Sequence, residues 1–367
     1  MIMRFHYQMS NITESVKSKI GADLHNKKGH PIKIVKDIIY EYLDHHSGIV
    51  FKKFDDLDPH VTVTDNFDLL LIPTDHPSRS YSDTYYINDS QVLRTHTSAH
   101  QNQLLEQGHK SFLVTGSVFR KDEIDNRHYN VFHQMEGCHL VDEKTDAVQK
   151  LKDLLSGLVE YLFPNKEYRF NEDFFPFTEP SFEIEVKFGN KWLEILGCGI
   201  VHHKILDRLK ITEKGIAWGL GLERICMILF EIHDIRLFWT QDVRFLNQFA
   251  EEKVVIFKPY PKMLPLIKDV SFWIEDAEVK NIIKGFEWIK VNDFYELVRE
   301  ICGDSVESVE ILDKFYHTKM KKYSITFRLL IGPENSNENS HSRLTEHANH
   351  CLTKVVSELK KRGYIVR

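Results

Sequence analysis

The stretch from Phe119 to Gly137, FRKDEIDNRHYNVFHQMEG, gathers groups that could hold a charged, planar ligand. Strand side chains alternate with period two, so Phe132, Gln134 and Glu136 share one face while Val131, His133 and Met135 take the other. The segment before the loop sends Val118, Arg120 and Asp122 to one side in the same way. Paired as a hairpin, the two segments would set a cation, a ring and a carboxylate over one surface. A core face would be apolar, and a solvent face would have no use for the phenylalanine. The pattern is that of a binding floor.

Other residues invite chemistry with less force. GLGLER (Gly219–Arg224) lacks the third glycine of a dinucleotide fingerprint, and no GK[ST] accompanies it. It does offer closely approachable backbone, then Arg224 in the first turn of a helix. An arginine there opposes the helix dipole unless it meets an anion or a carboxylate partner, and the motif alone leaves both open. In LRTHTSAH, His96 and His100 stand four apart, a spacing that could put two metal ligands on one helix face. With no third ligand, HExxH or cysteine cluster, polar contact of His96 and Ser98 with a small charged ligand is the better reading. Phe175 and Phe177 in FFPFTEP would share a strand face, either as core or as the wall of a flat apolar pocket. HTKMKK at 317–322 has no glycine nest beside it and reads as a solvated edge.

The elements that must position these residues can be read from periodicity. HPIKIVKDIIYEYLDHH spaces Val35, Ile38, Ile39, Tyr42, Leu43 and His46 as one helical stripe behind Pro31. A second amphipathic helix is expected from Thr145 to about Leu162, ahead of Pro164. SFEIEVKFGNKWLEILGCG reads as a hairpin with Phe182, Ile184, Val186 and Phe188 on one face and Gly189-Asn190 as its turn. In the helix after GLGLER, Leu222, Ile225, Cys226 and Leu229 form the buried stripe. Beyond the proline-marked FKPYPKMLP the pattern restarts as strand–helix–strand–strand–helix–strand, the ferredoxin-like order. That puts a domain boundary near residue 250, with GPENSNENSHS as a flexible loop inside the second unit.

Composition agrees with an ordinary globular protein: 42% hydrophobic and 28% charged residues over 367 positions, enough for two or three domains. No apolar run approaches the ~20 residues of a membrane helix. Five cysteines, odd in number and without a CxxC pair, argue against a disulfide framework or zinc ribbon and for a reducing compartment. MIMRFHYQMSN lacks the apolar core of a secretory signal and makes a poor mitochondrial presequence. Of the net charge of −6, residues 253–367 hold +3, which fits either a nucleic-acid contact made by the tail or an ordinary surface.

Taken in order, the motifs resemble those of the class II aminoacyl-tRNA synthetases, in particular the single-chain phenylalanine–tRNA ligases of organelles. Pro59 in FDDLDPHVT matches the motif 1 proline, FRKDEIDNRHYNVF motif 2 and GLGLER motif 3. DHPSR, LRTHTSAH, FHQMEG, FPFTEPSFE and WLEILGCG resemble stretches particular to the phenylalanine enzymes, and residues from about 254 resemble their anticodon-binding domain. The resemblance spans nearly the whole chain.

It implies an α+β fold: a class II antiparallel sheet flanked by helices over residues 1–250, and a ferredoxin-like anticodon-binding domain over 251–367. It also implies ATP and Mg²⁺ as cofactors and L-phenylalanine and tRNA(Phe) as substrates. Arg120 would hold the α-phosphate with Asp122 beside it, Phe132 would stack on adenine, His128 would help fix the triphosphate, and Arg224 would grip its far end. Gln134 and Glu136 would take the ammonium of phenylalanine with His96 and Ser98 nearby. Phe175, Phe177 and Ala217 would wall its ring, and Glu194 would contact magnesium. A monomer in the mitochondrial matrix or another organelle, without membrane association, is the expectation. The alternative is a synthetase-like paralogue that binds ATP or tRNA without aminoacylation. Two departures stand out: Tyr86 where some relatives carry tryptophan, and the long polar LLIGPENSNENSHSRLT in the tail.

Overall fold

The computed structural model describes residues 10–282, 285–334 and 340–367. Most of the N-terminal stretch weighed above as a targeting segment, and residues 335–339 of the polar loop, lie outside the described residues.

The alternating segments form the main sheet. Its strands are β1 (Lys52–Phe54), β2 (Ser111–Phe119), β3 (Val131–Val141), β4 (Tyr168–Asp173), β5 (Thr178–Phe188), β6 (Lys191–Val201) and β7 (Lys214–Gly221). They lie in the order β1-β2-β3-β7-β6-β5-β4. β1 runs parallel to β2, and every other neighbour is antiparallel. The β5–β6 hairpin turns at Gly189-Asn190, as its sequence predicts, with Gly189 at φ +59°, a left-handed conformation that glycine adopts without steric cost.

Three helices cover one face of the sheet. α1 (Pro31–His46) starts at its proline, and its cap residue His30 accepts the Ile32 N–H at Nδ1. α2 (Ala147–Leu162) starts two residues after the expected Thr145 because the Asp146 side chain caps it, accepting from Gln149 N. α3 (Leu222–Leu229) follows β7 directly. Val35, Leu43, Leu155 and Ile225 from the helices meet Leu113, Met135, Ile184 and Leu196 from the sheet in one core, each side chain almost fully buried. Complete burial of such a side chain stabilises by about 1.5–3 kcal/mol. One member of the expected stripes, His46, is exposed, while Ile38 and Leu229 are half-buried and pack against the core's edge. The opposite face of the sheet carries Phe132, Gln134 and Glu136 and is open at its centre.

A second sheet follows. β8 (Leu266–Ile274), α4 (Val291–Cys302), β9 (Val306–His317), β10 (Lys322–Ile331), α5 (His341–Lys361) and β11 (Ile365–Val366) give an antiparallel sheet in the order β9-β10-β8-β11. A short hairpin, Val279–Ile282 with Gly285–Trp288, is inserted between β8 and α4. The two helices bury one face around Phe272, Phe294 and Phe327, the last two stacked at 4.1 Å between centroids.

This unit grips the loop that joins β2 to β3. The Arg299 guanidinium donates to the carbonyls of Asp122 (2.8 Å) and Glu123 (3.0 Å), and Val309 N donates to Ile124 O at 3.0 Å. Tyr129 Oη donates to Asp304, and Ile124 itself is buried in the second unit's core. Among the described residues, no helix is long and apolar enough to cross a membrane.

Candidate active site

The floor is built by register. β2 and β3 pair Val118 with Phe132, Gly116 with Gln134 and Val114 with Glu136, so the last three project together into a cleft of about 1830 Å³. β2 ends at Phe119, so Arg120 and Asp122 are not strand residues as the alternation suggested. One further bond, Arg120 N to Asn130 O at 3.0 Å, still carries Arg120 over the floor. Its Nε donates to Thr95 O at 2.7 Å, which aims the guanidinium over the Phe132 ring, 5.2 Å from the centroid. Arg120 is exposed to the cleft, yet the protein packed around its guanidinium lowers its pKa, opposed by the charges of Asp122 and Glu194.

The inner end holds one carboxyl among a hydroxyl, an amide and an imidazole. Glu136 is 4% exposed and accepts a short hydrogen bond from the Ser98 hydroxyl. Burial pushes its pKa up to about 8, and the Ser98 bond opposes this only in part. Gln134 Oε1 accepts from Thr97 N at 3.1 Å, which turns its amide nitrogen toward Gly219, where a Cβ would lie 3.0 Å away. Neither ring nitrogen of His96 has a hydrogen-bond partner among the described residues. Burial and the Arg120 charge lower its pKa to about 3.

Rings close the walls. His96, Phe177 and Phe175 form a column, with centroids 6.2 Å apart for the first pair and 5.9 Å for the second. Phe175 lies over Gly197, whose missing side chain makes room: a Cβ there would be 2.8 Å from Cζ of the ring. The two phenylalanines were expected to share a strand face, but they sit in the turn before β5. Pro176 between them cannot donate to a ladder, and alternation across the turn imitates a strand. Ala217 on β7 is buried opposite Cys138, with Phe177 packed against the same cluster. His100 belongs elsewhere, its Nε2 taken by Arg94 Nη1 at 2.8 Å.

The outer end is polar. Arg224, in the first turn of α3, donates from Nη1 to Glu194 O (2.8 Å) and lies 3.4 Å from Glu194 Oε2. His128 Nδ1 donates to Asp125 Oδ2 at 2.9 Å. Burial pulls the His128 pKa down, but that bond and the carboxylates of Asp122, Asp125 and Glu123 outweigh it and leave it raised. Glu194 is half-exposed and opposite Glu185 in the β5–β6 register, but the Glu185 carboxylate is taken by Arg169 and Asn171. The Glu194 carboxylate, open to solvent, is the oxygen donor there that suits a hard cation keeping several waters. All thirteen residues singled out from the sequence line this one cleft.

The sequence reading missed what lies behind the floor. Glu223, 2% exposed, and Trp239 bond the backbone of β3 on either side of Phe132. The signal available was a carboxylate placed among the apolar residues of a buried helix. Chemically, the inner end fits an ammonium beside a flat apolar side chain, the ring at 132 a planar heterocycle, and the outer cations a polyanion.

Comparison with known proteins gives consistent matches. Residues 15–249 match the model of the tRNA synthetases class II core domain (F). The chain is 44% identical to the chloroplastic/mitochondrial phenylalanine–tRNA ligase of Arabidopsis thaliana, over 96% of this chain and 81% of that one. It is 39% identical to the mitochondrial enzyme of Mus musculus, over 87% and 78% of the two chains. For the mitochondrial enzyme of Saccharomyces cerevisiae the identity is 34%, over 88% and 85%.

Proposed function

The chain belongs to the class II aminoacyl-tRNA synthetases, in the family of phenylalanine–tRNA ligases, and on that premise we propose how its residues carry the reaction. It joins phenylalanine to tRNA(Phe) through a phenylalanyl adenylate made from ATP. The observation that supports this most is Glu136: a buried carboxyl with no cation beside it among the described residues, at the end of a pocket walled by Phe175 and Phe177. The ammonium and ring of phenylalanine supply what both lack.

Phenylalanine binds with its ammonium on Glu136 and Gln134, its ring against Phe175, Phe177 and Ala217, and its carboxylate toward Arg120. His96 and Ser98 complete the polar contacts. ATP stacks its adenine on Phe132 and lays its triphosphate toward His128 and Arg224, with the α-phosphate on Arg120 and Asp122 next to it. The substrate carboxylate is already a nucleophile, so no general base is needed. Its oxygen attacks the α-phosphorus, the bond to the β-phosphate breaks, and pyrophosphate leaves. Catalysis of this kind is positioning plus stabilisation of the charge developing on phosphate oxygens, here by two arginines. Glu194 would hold the magnesium that accompanies ATP, and bound magnesium neutralises phosphate charge. The adenylate then yields its acyl group to the 2′-hydroxyl of the terminal ribose, releasing AMP.

Residues 251–367 are assigned to the anticodon, supported by their ferredoxin-like strand order and by the +3 balance of residues 253–367. A location in the mitochondrial matrix or another organelle fits the names of the relatives, and the chain is proposed to act as a monomer. Phenylalanine-dependent exchange of labelled pyrophosphate into ATP tests the assignment. Exchange that requires phenylalanine is the expected result, and ATP or tRNA binding without any exchange would indicate a non-aminoacylating paralogue.

A further inference from the structure

β7 leaves the sheet just where the adenine-binding ring begins. Its last rungs pair Leu220 with Met135 and Gly221 with Gln134. Continued at the same register, the next rungs would set residue 222 opposite His133 and residue 224 opposite Val131. The chain turns instead into α3 at Leu222. The N–H of His133 and the C=O of Val131, both fully buried residues, therefore lose the strand that would have paired them.

Two side chains fill that gap. The Glu223 carboxylate accepts the His133 N–H (2.8 Å to Oε2, 3.0 Å to Oε1) and the ring Nδ1–H of the same residue at 2.7 Å. The Trp239 indole donates from Nε1 to Val131 O at 3.1 Å. The Trp239 ring also stacks on His133 and on Tyr129, each at 5.8 Å between centroids. The residues on either side of Phe132 are thus fixed from the helix side of the sheet, while its own ring projects into the cleft. Glu223 directly precedes Arg224, so the same carboxylate ties the helix bearing the triphosphate cation to the strand bearing the ring.

We propose that Glu223 and Trp239 are positioning residues for nucleotide binding, substituting for an absent strand so that Val131–His133 presents Phe132 to adenine. This rests on the reading of Phe132 as the adenine contact. Trp239 does not line the cleft; Glu223 borders it but is 2% exposed, with its carboxylate on His133, and both residues act through the backbone of β3.

The test is pyrophosphate-exchange kinetics on the full chain, with ATP and phenylalanine varied separately. Trp239→Phe removes one N–H and keeps the ring stack, and Glu223→Gln keeps one acceptor and loses the charge. The expected result is a KM for ATP raised about threefold by Trp239→Phe and about tenfold by Glu223→Gln, with the KM for phenylalanine within about twofold of the parent. In a Phe132→Leu background, Trp239→Phe should add almost nothing, because the two residues act on one contact. Should Glu223→Gln fail to fold, Trp239→Phe carries the test alone. An unchanged KM for ATP in a folded Trp239→Phe variant overturns the proposal. So does a defect of equal size with and without Phe132, or a parallel loss for both substrates, which would mark a structural role. Phe132→Leu with an unchanged KM for ATP overturns it through its premise and identifies the failure as that of the adenine assignment.

Discussion

The Ser98 hydroxyl donates to Oε2 of Glu136 at the closed end of the cleft, and this bond alone opposes the effect of burial on that carboxyl. With a pKa of about 8, Glu136 is largely protonated in the free enzyme at neutral pH, whereas an ammonium requires the ionised form. The kcat/KM for phenylalanine should therefore rise about tenfold per pH unit below 8 and flatten above it. Glu136→Gln should lower that parameter and abolish the rise. Stability has the opposite slope: because the folded pKa lies above the unfolded value of 4.5, the folded state holds an extra proton between pH 4.5 and 8. Urea midpoints should fall as pH rises through that window, and saturating phenylalanine should offset the fall. A pH-independent kcat/KM would show that Glu136 is already ionised.

Arg224 separates activity from stability. Its ion pair with Glu194 joins side chains that are 52% and 49% exposed, and such pairs contribute about 0–1 kcal/mol. Arg224→Ala should leave the melting temperature nearly unchanged while lowering kcat/KM for ATP by about 10²–10³, the scale of losing one charge-stabilising donor. A variant that unfolds but keeps its activity per folded molecule would make the arginine a structural partner.

The ring pocket can be altered from both ends. Gly197→Ala would place a Cβ 2.8 Å from Cζ of Phe175 and push that ring into the pocket. The KM for phenylalanine should rise about tenfold with the KM for ATP unchanged. Ala217→Gly acts in the opposite sense, opening the floor to p-chlorophenylalanine. A hydrophobic pocket rejects an added hydroxyl by only about 10², so tyrosine should be activated detectably by the parent enzyme. Exchange assays with the three amino acids decide both points. No gain in the glycine variant, at normal phenylalanine turnover, would put Ala217 outside the pocket.

Periodicity shows what repeats along the chain and is silent on what meets across it. The split of β3 into a face with Phe132, Gln134 and Glu136 and a face with Val131, His133 and Met135 was legible because a strand has only two sides. The hairpin at Gly189-Asn190 was equally plain, since few residues permit that turn. Phe175 and Phe177 misled because two turn residues flanking a proline share the spacing of a strand. Glu223 and Trp239 were invisible for another reason: they bond main-chain atoms about 90 and 108 residues away, and a backbone acceptor leaves no mark on the sequence that supplies it. The grip of Arg299 on Asp122 and Glu123 is hidden in the same way.

Arg299 is nearly buried and also pairs closely with Glu296. Arg299→Met would strand that carboxylate and free the loop carbonyls, at a cost of about 3–5 kcal/mol. Arg299→Met/Glu296→Leu should recover most of the stability. If the loop depends on the lost bonds, the double variant should still show a raised KM for ATP and faster proteolytic cleavage between residues 120 and 130. Full recovery of both would mean that the loop holds its shape unaided.

The loop that carries Asp122 and His128 thus has two owners. Asp122 and His128 line the cleft, while the carbonyls at 122, 123 and 124 are hydrogen-bonded by the second unit. Thermodynamic linkage makes such an arrangement symmetric: if docking of the second unit changes the affinity for ATP by some factor, ATP changes the docking equilibrium by the same factor. Under such coupling, nucleotide occupancy would be readable at the second unit, and on the proposed assignment a tRNA bound there would enter the energetics of activation before its acceptor arm reaches the adenylate.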